Sequence, residues 1–464
     1  MKQYDLLVIG FGKAGKTLAA TFGKEGKQVA LIEQDPAMYG GTCINIGCIP
    51  TKTMIVGADK GKSYEAAKAT RDTVVGKLNA KNLNMLTSNP NVTVYTGHGK
   101  FTSNKEVEVT TADGVETLTA EIIIINTGAT NVVLPIPGLS TSKFVYNSTE
   151  LQALPTLPKR LGIIGCGNIG IEFANLYARL GAEVTAFESG DRILKREDAD
   201  VAALAQQYLE ADGIHFHFNA VTKEIKNVGD TVVVVTESGE EFVFDALLHA
   251  TGRKANTEGL GLEHTDIQVR PNGSIVTDDT LMTAVPNVFA VGDVNGGQQF
   301  TYVSLDDFRI VNRVLHGDES YKLGNRAHVP YSTFITPALS HVGLHEEEAK
   351  AQYPNAVTVA LPVNNMPRHA VNQDPRGVFK LTVNKDTGLI LGATLFGKNS
   401  EELINIIKMA MDNDIKYTYL RDQIFTHPTM AENLNDLPYV PLFYMYMKDL
   451  YKRGFTRNKM FDIL

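Results

Sequence analysis

One arrangement constrains this chain more than any other. It is a glycine loop between a short apolar strand and a helix, followed at a fixed distance by an acid, and it occurs twice. Leu6-Leu7-Val8-Ile9 is the apolar run of a buried parallel strand, and it leads into Gly10-Phe11-Gly12-Lys13-Ala14-Gly15, a G-x-G-x-x-G. A helical segment follows, then a second strand, Gln28-Val29-Ala30-Leu31-Ile32, which ends in Glu33, 18 residues beyond Gly15. Glycines let backbone amides approach a pyrophosphate at a helix N-terminus, and the acid reaches the adenosine ribose hydroxyls. Downstream, Leu161-Gly162-Ile163-Ile164 leads into Gly165-Cys166-Gly167-Asn168-Ile169-Gly170, and the strand Glu183-Val184-Thr185-Ala186-Phe187 ends in Glu188, again 18 residues on. Two copies about 155 residues apart predict two dinucleotide-binding domains and two bound dinucleotides.

The first loop also spells another motif. Gly10 to Thr17 reads G-x-x-x-x-G-K-T, the P-loop pattern. A P-loop protein wants an Asp at the end of a later apolar strand to help hold Mg²⁺, whereas Ile122-Ile123-Ile124-Ile125 ends in Asn126. Glu33 and the repeat favour the dinucleotide reading. Each unit has a downstream strand with a Thr-Gly ending, at Thr127-Gly128 and at Thr251-Gly252-Arg253, and Pro135, Pro137, Pro155 and Pro158 mark a connector. Val288-Phe289-Ala290-Val291 is read as a third strand, ending in Gly292-Asp293. Beyond it, 329–342 and 377–396 have strand character, and 401–411 reads as a helix with Leu403, Ile406, Ile407 and Ala410 on one face. The fold class expected is α/β, and the length of 464 residues suits three domains at about 150 residues each.

Cysteine usage adds chemistry to this frame. The chain has three, with Cys43 and Cys48 five positions apart and Cys166 inside the second glycine loop. The N-terminal apolar run stops at Gly10, too early for a signal sequence, and no stretch nears the roughly 18 apolar residues of a membrane helix. With a net charge of −8, nothing global attracts nucleic acid. The expectation is a cytoplasmic protein without a membrane span or a nucleic-acid partner. In that reducing setting a close thiol pair is more often redox-active or metal-binding than a staple. A metal site needs further ligands, and no second cysteine pair supplies them; two packed thiols without chemistry are the remaining alternative. Cys166 is read as a small residue filling a tight turn. Of the 11 histidines, His215 and His217 share a strand face as a weak metal pair, a reading set below ordinary structural histidines.

The order of motifs resembles the FAD-dependent pyridine nucleotide-disulfide oxidoreductases over nearly the whole chain. The motifs are G-x-G-x-x-G, Gly40-Gly41-Thr42-Cys43…Cys48…Lys52, Thr127-Gly128-Ala129, the second G-x-G-x-x-G, Thr251-Gly252-Arg253, Val291-Gly292-Asp293 and His427-Pro428-Thr429. The resemblance implies an FAD-binding domain at 1–150 and 279–328, an NAD(P)-binding domain at 151–278 and a C-terminal α+β dimerisation domain at 329–464. It assigns Gly10, Gly12, Gly15, Glu33, Gly41, Thr42, Lys52, Gly99, Gly128, Asp293 and Thr301 to FAD. Gly165, Gly167, Gly170, Glu188 and Gly252 go to the nicotinamide cofactor, and Glu172 pairs with Lys52. Cys48 is implied as the flavin-side thiol and Cys43 as the interchange thiol. His427, oriented by Glu432, is implied as the base that serves Cys43 across a homodimer. An aromatic gate at position 168 is absent, since that residue is Asn.

Within the family the chain is most similar to the branch associated with bacterial resistance to reactive chlorine species and with copper(II) reduction, beside the mercuric reductases. The resemblance implies electrons passing from NAD(P)H through FAD and the Cys43–Cys48 disulfide to a small acceptor. That acceptor is expected to be Cu(II), possibly Hg(II), held only in passing by Cys43 and Cys48, with a small disulfide as the alternative. Phe425 stands where dihydrolipoamide dehydrogenases carry a histidine, and no cysteine follows Cys166 to match the C-terminal pair of mercuric reductases. Glu188, without an Arg at 188 or 189, favours NADH over NADPH. Beyond Leu437, Leu442, Phe443, Tyr446, Leu450 and Tyr451 recur at helical spacing before Lys452, Arg453, Arg457 and Lys459. This is read as a helix packing on the dimer in preference to a membrane-surface helix, with Met445 and Met447 as packing residues in preference to copper ligands.

Overall fold

The computed structural model describes residues 1–437; the aromatic and basic stretch after Leu437, with Met445 and Met447, lies outside them. The chain forms two units. One gathers 1–165, 179–182 and 221–326, and the other 166–178, 183–220 and 327 onward. These bounds run through the segment 151–278 and do not enclose it.

In the first unit, Lys2–Ile9 lies between Val29–Glu33 and Gly114–Ile125, parallel to both. Val92–Phe101 extends the sheet in parallel beyond Val29–Glu33, and Val288–Ala290 beyond Gly114–Ile125. Glu106–Thr111 is antiparallel to both Val92–Phe101 and Gly114–Ile125. Parallel strands are covered on both faces, which is why they read as continuous apolar runs. Leu6 and Val8 pack with Ala14, Leu18 and Phe22 of the helix Lys13–Lys24. Leu7 and Ile9 face the opposite side, with Ile123, Ile125 and Val288. The expected third strand is shorter than its apolar run: it ends at Ala290, and Gly292–Asn295 forms a 3₁₀ turn. In the same unit Ala246–His249 is flanked in parallel by Arg160–Ile164 and Val145–Tyr146.

The second unit contains the parallel pair Glu183–Phe187 and Ile214–His217 and a separate five-stranded antiparallel sheet. That sheet runs in the order Tyr331–Thr333, Leu339–Gly343, Ile390–Phe396, Val378–Asn384, Ala356–Pro362. Its core contains Val342, Phe379, Leu381 and Leu395 together with the helix Ser400–Asp412. The buried face of that helix is Leu403, Ile404, Ile407, Ala410 and Met411. Ile406, expected on it, is only partly buried; the stripe is rotated so that Ile404 takes the inner position.

Candidate active site

The first glycine loop is shaped by one side chain. Gly10 has φ +96, and a Cβ there would sit 2.4 Å from the Asn126 carbonyl oxygen; one on Gly12 would sit 2.4 Å from Asn126 Oδ1. Asn126 is 5% exposed. Its Oδ1 accepts from Gly15 N at 2.8 Å, and its Nδ2 donates to Val291 O at 2.6 Å. The amide therefore ties the glycine loop to Val291, just after the strand Val288–Ala290 and two residues before Asp293. Sequence reasoning used Asn126 only as evidence against a P-loop and missed this role.

The two acids repeat one geometry. Glu33 accepts from Phe11 N at 3.0 Å and from Asp35 N at 3.2 Å. Glu188 accepts from Cys166 N at 3.1 Å and from Gly190 N at 2.9 Å. Their electrostatics differ. Burial pushes the Glu33 carboxyl upward. At Glu188 burial works in the same direction, but the Lys195 ammonium 3.0 Å away and the Gly190 and Cys166 amides outweigh it and hold the carboxyl low. Cys166 is buried, and its thiol is pushed up to about 12, mainly by that burial. It stays a packed thiol, as its place in the turn predicts.

The cysteine segment crosses the glycine loop. Gly41 has φ +85, and a Cβ on it would approach Gly12 Cα to 3.0 Å. Cys43 sits in the one-turn helix Thr42–Asn45, and Cys48 begins the helix Cys48–Asp59. A buried lysine fixes the segment: Lys16 Nζ donates to Gly40 O at 2.9 Å and to Asn82 Oδ1 at 2.6 Å. Asn79 Nδ2, one turn away on the helix Tyr64–Thr87, donates to Asn45 Oδ1 at 3.1 Å. Burial brings Lys16 down to about 8. The Cys43 thiol is held down to about 6, first by a hydrogen bond from the Cys48 thiol, then, against its burial, by the Thr301 hydroxyl and the Lys16 charge. Such a thiol is a thiolate at neutral pH, the form that attacks disulfides and binds metals.

Both cysteines open into a cleft of about 780 Å³. Gly10, Gly12, Glu33, Gly41, Thr42, Gly99, Gly128, Asp293 and Thr301 also line it. Of the other residues expected at FAD, Gly15 is packed under the loop against Val8, and Lys52 lies on the helix after Cys48 in the same unit. Asp293 has its carboxyl raised by burial, with Arg253 3.7 Å away. The cleft fits a flavin dinucleotide. Backbone amides at the start of Lys13–Lys24, an acid at the end of the second strand and two thiols at the far end share one cavity.

Other expected site residues belong to the second unit. Gly167 precedes the helix Asn168–Arg179 and Gly170 lies in its first turn; on that helix Glu172 is 7% exposed and accepts from Phe334 N at 2.8 Å. Gly165, with φ +99, and Gly252, with φ +112, lie in the first unit. His427 is largely exposed, and its Nδ1 is 2.7 Å from Glu432 Oε2. Glu432 Oε1 accepts from Thr429 N at 3.0 Å. Burial tends to raise the Glu432 carboxyl, and His427 and the Thr429 amide hold it below the usual range. The carboxylate thus fixes one imidazole nitrogen and leaves Nε2 facing outward. His215 and His217 lie on the strand Ile214–His217; the His217 ring is stacked on Phe187, and His215 faces solvent.

Comparison with known proteins agrees with this architecture. The family model for pyridine nucleotide-disulphide oxidoreductases matches 4–307, and the model for the dimerisation domain of the same family matches 329–438. The chain is 46% identical to RclA of Escherichia coli (strain K12), over 94% of this chain and 99% of that one. It is 31% identical to a mercuric reductase of Staphylococcus aureus, over 93% and 81% of the two chains. It is 32% identical to a dihydrolipoyl dehydrogenase of Bacillus subtilis (strain 168), over 93% and 94%. A solved structure described as the Cu(II) complex of the HOCl-induced flavoprotein disulfide reductase RclA from Escherichia coli, carrying a C43S mutation, superposes with a TM-score of 0.93 at 45% identity. That alignment covers 95% of this chain and 100% of the other. Among the described residues no helix is long and apolar enough to cross a membrane. The chain belongs to the pyridine nucleotide-disulfide oxidoreductases, flavoenzymes that use FAD and NAD(P)H and assemble through a dedicated dimerisation domain.

Proposed function

We propose that this protein is a metal-ion reductase that passes electrons from NADH, or NADPH, through FAD and the Cys43/Cys48 pair to Cu(II), with Hg(II) as a further substrate, in a cytoplasmic defence against reactive chlorine. The observation that carries the reading is the 46% identity to RclA over nearly the full length, a relative whose solved structures include Cu(II) complexes, together with an acidified Cys43 thiol beside Cys48 in the cleft of this chain.

The first glycine loop and Glu33 would hold the adenosine half of FAD, and Asp293 its ribityl chain. Gly165, Gly167, Gly170 and Glu188 would hold the nicotinamide cofactor. Bound FAD supplies two-electron storage between the nicotinamide and the thiols. Cys43 and Cys48 then act as paired soft ligands, the donor type that favours Cu(I). Each Cu(II) accepts one electron. One dithiol therefore reduces two Cu(II) to two Cu(I), closes to the disulfide and releases two protons. The partner subunit's His427, oriented by Glu432, would hold the proton given up by Cys43 and keep that sulfur as the thiolate.

The test follows NADH oxidation with Cu(II), Hg(II), glutathione disulfide and lipoamide in turn, with a Cu(I)-specific chelator present. Cu(I) formation that depends on both cysteines supports the reading. Turnover with either disulfide far above that with both metals would overturn it in favour of a small-disulfide reductase. Copper reduction that survives Cys43→Ser would move the reducing site from the thiols to the flavin.

A further inference from the structure

A second polar cluster lies in the second unit, built from residues that the cleft chemistry does not use. Tyr331, His341, Thr394 and Lys380 stand side by side across four neighbouring strands of the antiparallel sheet. His341, Thr394 and Lys380 are 2–3% exposed, an expensive row to bury unless each member is paired. The segment before the helix Ala199–Ala211 packs on this row. Lys380 Nζ lies 2.9 Å from each of Asp198, Asp200 and Glu346. Tyr331 donates to Glu197 Oε1 at 2.7 Å. Glu197 itself is 3% exposed, and its Oε2 is buried with no hydrogen-bond partner. One buried ammonium thus bridges three carboxylates, of which Asp200 is largely exposed and Glu346 also pairs with Lys350 at 2.8 Å, and a fourth carboxylate beside them, Glu197, has an unused oxygen. A carboxylate buried as deeply as Glu197 with one oxygen unpaired calls for a positive partner at that oxygen.

Two imidazoles stand where that charge is needed. The rings of His341 and His345 are stacked 3.7 Å apart. One ligating atom from each of Glu197, His341 and His345 lies within 4.8 Å of the others. We propose that Glu197, His341 and His345 form a binding site for one divalent first-row transition-metal ion, of the Zn(II) or Cu(II) class, that uses neither redox cysteine. Two imidazoles and one carboxylate with open positions suit such ions. The stacked rings cannot both point a lone pair at one ion, so one ring turns on binding. His345 is that ring: its side chain is 16% exposed, its Nε2 lies 3.2 Å from Tyr331 Oη, and its Nδ1, 3.5 Å from Asp198 Oδ1, has no hydrogen-bond partner among the described residues. His341 has partners on both nitrogens, Thr394 Oγ1 at 2.8 Å and the Gly343 carbonyl at 3.0 Å. The ion displaces one of them, and the other holds the ring in place, as outer hydrogen bonds do for metal-bound imidazoles. The ion brings its positive charge to the unpaired oxygen of Glu197.

The test uses the oxidised, FAD-loaded protein, in which Cys43 and Cys48 are joined and cannot ligate. Zn(II), which has no redox chemistry, is the probe, with bound metal read by equilibrium dialysis and stability by thermal melting. One Zn(II) per chain, with a rise in Tm, is expected for the wild type and for the Cys43→Ser/Cys48→Ser variant. Glu197→Gln and His345→Asn should each weaken binding by more than about tenfold and abolish the rise in Tm. His345 is the most exposed ligand, so His345→Asn decides the matter if the other variant fails to fold. No zinc bound at micromolar metal, or equal binding by wild type and His345→Asn, overturns the site. So does binding lost only when the cysteines are replaced.

Discussion

Replacing Thr301 by Val should raise the pKa of Cys43 by about one unit. The thiol stands at about 6 against an ordinary 9.0, a depression worth about 4 kcal/mol at 1.36 kcal/mol per unit. Four contributions produce it against the opposing effect of burial: the Cys48 thiol, the Thr301 hydroxyl, the Lys16 charge and the Cys48 backbone amide. A hydrogen bond to a charged group contributes about 1.5–3 kcal/mol; a sulfur acceptor belongs at the low end, which gives about one unit. Val keeps the shape of Thr and removes only the donor. At pH 6.5 the thiolate fraction of Cys43 then falls from about three quarters to about one quarter, so alkylation by iodoacetamide slows about threefold. At pH 9 the two proteins should react equally. The assay is the pH dependence of Cys43 alkylation in the reduced protein, followed by peptide mass spectrometry, with flavin content matched between samples. An unchanged midpoint refutes the assignment of Thr301 as a donor to the thiolate. A slowing of equal size at pH 6.5 and pH 9 refutes it as well, since that is the signature of altered access and not of altered ionisation.

The same thiol makes the reduced protein sensitive to pH. A depressed acid stabilises the fold fully above its unfolded value near 9 and loses that contribution as pH falls through about 6, so Tm of the dithiol form should rise between those limits more than that of the disulfide form. Glu432→Gln keeps an acceptor for His427 Nδ1 but removes the charge that favours the imidazolium, and steady-state turnover should fall about tenfold or more; unchanged kcat with unchanged pH profile would count against the base. Asn126→Asp places an acid where a P-loop would want one, but it loses the donor to Val291 O and buries a charge. A loss of about 2–5 kcal/mol and release of flavin on heating are expected, read by thermal melting and flavin fluorescence. Glu188→Gln frees Lys195 from its ion pair and should shift the kcat/KM ratio toward NADPH by about tenfold; a wild type that already prefers NADPH contradicts the reading of Glu188.

What the sequence made legible was local and repeated. Glycine loops, the acid 18 residues on and the cysteine spacing are set by backbone geometry within one strand–turn–helix unit, so a linear pattern carries them. What it hid depends on residues far apart in the chain. Asn126 reads as the wrong strand-ending residue until its amide is seen between Gly15 and Val291. Glu197, His341 and His345 come from a loop, a strand and a helix cap, and no spacing announces them. Lys16 is the most instructive case. A P-loop lysine must reach phosphates, and the motif Gly10–Thr17 would place it to do so. Here its Nζ is turned into the protein, onto Gly40 O and Asn82, and 4% of the residue is exposed. The same eight letters therefore serve a different end: the lysine pins the loop that carries Cys43 and lends its charge to the thiolate. The direction of one side chain, which no motif encodes, separates a phosphate-binding lysine from one that holds a cysteine segment in place.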